Sequence, residues 1–109
     1  MKKLKYKFKN ENLLINALTH SSYSNEKKKL KSNERLEFLG DSILGFICAE
    51  YLYKNFNFNE GDFSRIRSSV VCEQSLCKFA RALDMGEYLL LGKGEASSGG
   101  RNRDSILAD

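Results

Sequence analysis

A chain of 109 residues carrying a formal charge of +4 is one domain at most, long enough to bury a real core. It holds no charge-free apolar run of about eighteen residues and opens on no signal-peptide pattern, which predicts a soluble, cytoplasmic protein without a membrane partner. Three cysteines, with Cys72 and Cys77 lacking a second pair or a nearby histidine, argue against a zinc site and read as small apolar residues in a reducing compartment. Proline is absent, which suits an all-helical domain. The basic balance is compatible with a polyanionic partner.

From Lys3 to Lys9 lysine alternates with Leu4, Tyr6 and Phe8, the period of an extended segment. No hairpin partner follows, so this is expected to be an arm laid against helices. Asn10 can cap a helix whose apolar positions are Leu13, Leu14, Ala17 and Leu18, closed by His20, the lone histidine. A helix-end role bonding backbone is the ordinary reading of that histidine. Residues 24–33 are polar, with Lys28 and Lys29 inside a lysine-rich run, and predict a solvated loop able to meet phosphates.

Asn33 or Ser32 then caps a long helix reaching about Asn55. From Leu36 to Tyr53 it is apolar nearly all round, which predicts burial, with Leu36, Leu39, Ile43 and Ile47 facing the core. Glu37 and Asp41 are i,i+4 neighbours and Glu34 lies on the same side. Like charges at that spacing oppose the helix by about 0.2–0.5 kcal/mol, and a buried carboxylate needs compensation. A hard divalent cation supplies it through oxygen ligands. Glu34 and Glu37 also read as surface acids favoured by the helix dipole. Asp41, a turn deeper among apolar residues, is less easily read that way. Gly40 and Gly45 cost about 1 kcal/mol each relative to alanine and are expected to mark tight packing beside the acids.

Asn57 to Asn59 form a loop before a helix starting at Glu60-Gly61-Asp62. Leu76, Phe79, Ala80 and Leu83 recur at helical spacing as a core stripe, which Gly86 can terminate. Leu89-Leu90-Leu91 is too short for its own helix. Residues 92–103 are rich in glycine and serine and carry Lys93, Arg101 and Arg103, which predicts a mobile, positively charged loop. Asp104 or Ser105 caps a last helix beginning Ile106-Leu107-Ala108, and the sequence stops at Asp109.

Glu34-Arg35-Leu36-Glu37-Phe38-Leu39-Gly40-Asp41-Ser42 resembles the signature of the ribonuclease III family, endonucleases that cut double-stranded RNA. Leu14-x-x-Ala17-Leu18-Thr19-His20-x-Ser22-Tyr23 before it is similar to another block of that family. Glu60-Gly61-Asp62-x-Ser64, and Gly99-Gly100 through Ser105-Ile106-Leu107-Ala108-Asp109, are similar to the later blocks, in the same order. The resemblance covers nearly the whole chain.

It implies an all-α endonuclease-domain fold over residues 1–109, cut inside its final helical section, with no double-stranded-RNA-binding domain in this chain. It implies magnesium, with manganese as a substitute, held by Glu37, Asp41 and Asp109, with Glu37 and Asp41 as catalytic residues and Glu34 at a less essential position. A fourth carboxylate of the family falls one helical turn after Asp109. The resemblance further implies a homodimer touching through Phe38, with one active site per strand and products bearing 5′-phosphate, 3′-hydroxyl and short 3′ overhangs, in ribosomal or messenger RNA processing. Double-stranded RNA is the expected substrate, with no small-molecule substrate. Lys28, Lys29, Arg101 and Arg103 are its candidate phosphate contacts. The rival reading is a non-catalytic RNA-binding module on the same fold, which the retained acids oppose.

Overall fold

Asn10 opens the first helix, its side-chain oxygen accepting the Asn12 N–H at 3.0 Å, and α1 runs Glu11–Leu18. In the computed structural model, which describes residues 3–109, this is followed by α2 (Ser21–Glu26), α3 (Glu34–Asn55), α4 (Glu60–Val70), α5 (Glu73–Ala82), α6 (Lys93–Ser97) and α7 (Asp104–Leu107). Single 3-10 turns occupy Met85–Tyr88 and Gly100–Asn102. No β-strand occurs among the described residues, only one parallel bridge between Thr19 and Leu90, so the all-α expectation holds. No described helix is long and apolar enough to cross a membrane.

The core forms where short elements meet. Leu18 from α1, Cys77 and Ala80 from α5, Leu89 and Leu91 from the extended strip, and Ile106 and Leu107 from α7 are all buried in one cluster. Each leucine or isoleucine side chain gains about 1.5–3 kcal/mol on full burial. The strip is held by backbone bonds to the end of α1, Leu90 N–H to Leu18 O at 2.9 Å and His20 N–H to Leu90 O at 3.0 Å. This explains a leucine triplet too short for a helix: it fills the core from extended backbone.

Several expectations need correcting. Leu39, Ile43 and Ile47 are 54%, 49% and 56% exposed and Leu36 is half-buried, so these four do not face the core; in α3 only Leu52 is buried. Among the described residues α3 packs mainly on α4 and α1, which cover one side of a helix that is apolar on all sides. Asp41 is likewise exposed, not buried. Gly40 and Gly45 do not mark tight packing, since a Cβ at either would meet nothing within 4 Å.

The stripe on α5 also shifts. Phe79 is 53% exposed while Cys77 is buried, because the helix turns its Cys77–Ala80 edge toward α7. Gly86 does not end that helix. Asp84 takes the left-handed conformation at φ 53°, and Gly86 lies in the following turn, where a Cβ would overlap the Arg101 carbonyl.

Two predicted loops are more ordered than composition suggests. The polar stretch from residue 24 begins inside α2, where His20 Nδ1 accepts the Ser22 N–H at 3.1 Å. Residues 92–103 hold α6 and a 3-10 turn, stitched by Arg103 to Glu95 and by the Ser22 and Glu26 side chains to the backbone N–H groups of Gly92 and Lys93. Local polar bonds, absent from any hydrophobic period, make that order. The lysine-alternating arm has no regular structure. It is pinned at Lys3 to Asp84 at 2.9 Å, with Tyr6 and Phe8 edge to face at 4.9 Å.

Candidate active site

An open cavity of about 720 Å³ lies between the first turns of α3, the start of α5 and the end of α7. Glu34, Glu37 and Asp41 line it from α3, and Asp109 lines it from beyond α7. The helical repeat places the first three on one side, as their spacing requires. The fourth arrives through tertiary structure alone.

Each wall is held by identifiable bonds. Asn33 precedes α3 without capping it; its N–H donates to Thr19 O at 2.8 Å and its Nδ2 to Ala17 O at 3.1 Å. Those bonds tie the start of α3 to the end of α1. On the other side, Arg81 of α5 donates to Asn102 Oδ1 at 3.1 Å and Asn102 O at 3.0 Å, and pairs with Asp104, the first residue of α7. Arg81 therefore anchors the short helix that leads to Asp109. Its sequence gives no sign of this, because its partners lie more than twenty positions away.

The acids interact. The Glu37 and Asp109 carboxyls each affect the ionisation of the other. Burial in the cavity is the largest cause raising the Glu37 pKa, followed by the Asp109 charge and hydrogen bond, then Glu34 and Asp41. Burial raises Asp109 as well, opposed by its bond to Glu37 and by His20. Both carboxyls thus hold a proton more tightly than isolated carboxyls do. Both groups remain in contact with solvent.

This donor set fits a hard divalent cation in its chemistry: oxygen atoms only, with mutual repulsion that a positive charge relieves. No three His, Cys, Asp or Glu side chains among the described residues already converge on one point. One or two carboxylates are nonetheless what magnesium commonly takes from a protein, the remaining positions being water and substrate.

Of the other candidates, only Phe38 shares the cavity with the acids. Phe38 lines the same cavity and is 79% exposed. Lys28 and Lys29 are exposed on the turn after α2. Arg101 donates to the carbonyls of Gly86 and Leu89, at 3.2 and 2.6 Å, while Arg103 pairs with Glu95 and donates to Ser98 O at 3.1 Å. Both guanidiniums are engaged with their own chain. Glu73, at the start of α5, lines the cavity too; in sequence it is indistinguishable from any helix-start acid.

A family model described as ribonuclease-III-like matches residues 10–109. Ribonuclease 3 of Caldanaerobacter subterraneus subsp. tengcongensis is 56% identical over 109 residues, covering 98% of this chain and 48% of that protein. Ribonuclease 3 of Clostridium tetani is 54% identical, covering 98% and 46%. The chain thus spans about half the length of the curated relatives it matches. Among solved structures, the nuclease domain of ribonuclease III from Campylobacter jejuni superimposes with a TM-score of 0.89 at 44% identity, covering 98% of this chain and 73% of that one. That structure is described for flexibility in a region involved in dimer formation. With sequence and fold in agreement over nearly its whole length, this chain belongs to the ribonuclease-III-like family.

Proposed function

We propose that the chain is part of the nuclease domain of a cytoplasmic endoribonuclease that hydrolyses double-stranded RNA with magnesium, or with manganese in its place. The observation that supports this is the gathering of Glu34, Glu37, Asp41 and Asp109 on one open cavity.

Glu37 and Asp109 are the direct cation ligands, since their paired carboxyls carry the repulsion that a cation removes. Asp41, one turn further along α3, binds the same centre and accepts a hydrogen bond from the attacking water. Glu34 sits at the rim in an auxiliary role. When bound, magnesium polarises the phosphate, lowers the pKa of its water and stabilises the departing oxygen. Water attacks phosphorus and the bond to the 3′ oxygen breaks, leaving 5′-phosphate and 3′-hydroxyl ends.

Shape is the basis of recognition, because the wide minor groove of A-form RNA displays 2′-hydroxyls without a sequence code. Lys28 and Lys29 are free to meet phosphates. A homodimer, with one site per strand and short 3′ overhangs, is supported by the uncovered apolar side chains of α3, Phe38 and Phe46 among them. Maturation of ribosomal or messenger RNA is the cellular role that this substrate suits. Phe38→Ala in the full-length protein should shift sedimentation toward monomer; an unchanged dimer would remove Phe38 from the interface.

The deciding experiment is Asp41→Asn in the full-length protein, with a long duplex RNA as substrate. Losing a metal-site charge costs several kcal/mol of transition-state stabilisation, about a thousandfold or more in rate at 1.36 kcal/mol per tenfold. RNA binding measured in calcium should be retained, as phosphate contacts come from cations. Undiminished cleavage by the variant would sink the metal-site assignment and favour the non-catalytic RNA-binding module.

A further inference from the structure

Among the described residues, the cavity between α3, α5 and α7 is lined by acids and apolar side chains, with one neutral polar exception, Asn33. That residue is held at three points. Its N–H donates to Thr19 O at 2.8 Å, its C=O accepts the Glu37 N–H at 2.7 Å, and its Nδ2 donates to Ala17 O at 3.1 Å. A carbonyl can only accept, so the amide nitrogen must lie on the Ala17 side and the amide cannot turn over without losing that bond. Oδ1 is thereby fixed on the opposite side. It caps no N–H of α3 and accepts no hydrogen bond from the described residues, yet it is not a buried orphan. Solvent therefore reaches it.

The two other asparagines that open helices behave differently. Asn10 Oδ1 accepts the Asn12 N–H at 3.0 Å, and Asn59 Oδ1 accepts the Asp62 N–H at 2.8 Å. Asn33 leaves the same atom unused by its own chain, on a side chain that lines the cavity with Glu34 and Glu37. What can fill it must be a hydrogen-bond donor. Along a sugar–phosphate backbone the phosphate, ester and ring oxygens only accept. The 2′-hydroxyl is the one donor, and RNA alone carries it. A neutral oxygen can take that hydroxyl without adding to the repulsion between the acids and the phosphates.

We propose that Asn33 is a specificity-determining contact: anchored by Ala17 and Thr19, it accepts through Oδ1 a hydrogen bond from the 2′-hydroxyl of a nucleotide beside the scissile phosphate. The cavity thereby distinguishes an RNA strand from a DNA strand at that nucleotide. This rests on the reading of the chain as part of a duplex-RNA endonuclease and names a chemical group that it recognises. Because three bonds already fix the residue, little further ordering is needed when the hydroxyl arrives. The site is open to solvent, so the contact is worth one ordinary hydrogen bond, about 3–10-fold in rate.

The test uses the full-length protein and duplex RNAs cut at one site, each carrying a single 2′-fluoro nucleotide near that site. Fluorine keeps the sugar pucker of A-form RNA but cannot donate, so only the hydrogen bond is removed. Wild type should lose about 3–10-fold in kcat/KM with fluorine at one nucleotide of the strand and little elsewhere. Asn33→Ala and Asn33→Ser remove the acceptor; serine can cap α3 and so preserve the fold. Both variants should cut the unmodified duplex more slowly and show no further loss when fluorine occupies that nucleotide. A merely structural role slows all substrates alike and leaves the fluorine penalty in place, so a penalty that persists in either folded variant overturns the proposal. A wild type that cuts the unmodified duplex and tolerates fluorine at every position overturns the contact with the endonuclease reading intact. A wild type that leaves duplex RNA uncut overturns both.

Discussion

Replacing Glu37 by glutamine isolates the electrostatic cost that the cavity carries without a cation. Two unit charges about 4 Å apart repel by about 1 kcal/mol in water and about 4 kcal/mol at the effective dielectric of a protein surface. Solvent reaches Glu37, so screening holds the value near the lower end, about 1–2 kcal/mol. Glutamine keeps the size of the side chain, and its amide can donate to Asp109. The metal-free variant should therefore be more stable than the parent near pH 7.5. At about 2–4 °C per kcal/mol for a protein of 150–250 residues, the melting temperature should rise by about 2–8 °C in EDTA.

The pH dependence has a definite sign. Glu37 and Asp109 both have raised pKa values, burial being the largest cause in each. Their contribution to stability is complete below the ordinary carboxylate range and is lost as pH rises through the raised values. The advantage of Glu37→Gln should thus shrink toward pH 4, where the parent pair is protonated. Magnesium reverses the order at pH 7.5: at about a hundred times its dissociation constant a ligand adds about 2.7 kcal/mol, and only the parent should gain it. Differential scanning calorimetry of full-length parent and variant, at two pH values with and without magnesium, checks both signs. A variant less stable than the parent in EDTA, or equally stabilised by magnesium, would refute the account of the paired carboxyls.

Gly92→Ala places a Cβ 2.7 Å from the Ser22 carbonyl oxygen and 2.9 Å from Glu26 Oε2, an overpacking that should cost about 1–3 kcal/mol, read as a lower urea midpoint; an unchanged midpoint would mean that this junction yields freely. Lys28→Gln with Lys29→Gln should flatten the salt dependence of RNA affinity, each lost phosphate contact lowering the slope by about one unit, while stability stays within about 0.5 kcal/mol. Arg101→Gln should do the reverse, lowering stability through the lost bonds to the Gly86 and Leu89 carbonyls with the salt slope unchanged. A salt slope that follows Arg101 and ignores the lysines would exchange their roles.

The sequence alone determined the longer helices and three acids of the cavity, because both follow from local spacing. A 3.6-residue repeat places Glu34, Glu37 and Asp41 on one side of α3 whatever surrounds them, and Asn10 and Asn59 each cap the helix that follows them. The family resemblance, carried by short blocks in order, named Asp109 as their companion but gave no path to them. That path exists only in three dimensions: Arg81 grips Asn102 and Asp104, Asn33 ties α3 to α1, and the leucine strip joins α1 to the core beneath α7. Tertiary structure also decided what is covered. Apolar character marks α3 as able to be buried on every side, but burial depends on which surfaces meet it, and α1 and α4 meet it on one side. The fate of Arg101 and Arg103 was decided in the same way, since a positive charge in a glycine-rich stretch serves a phosphate or a nearby carbonyl equally well until the fold brings one of them within reach.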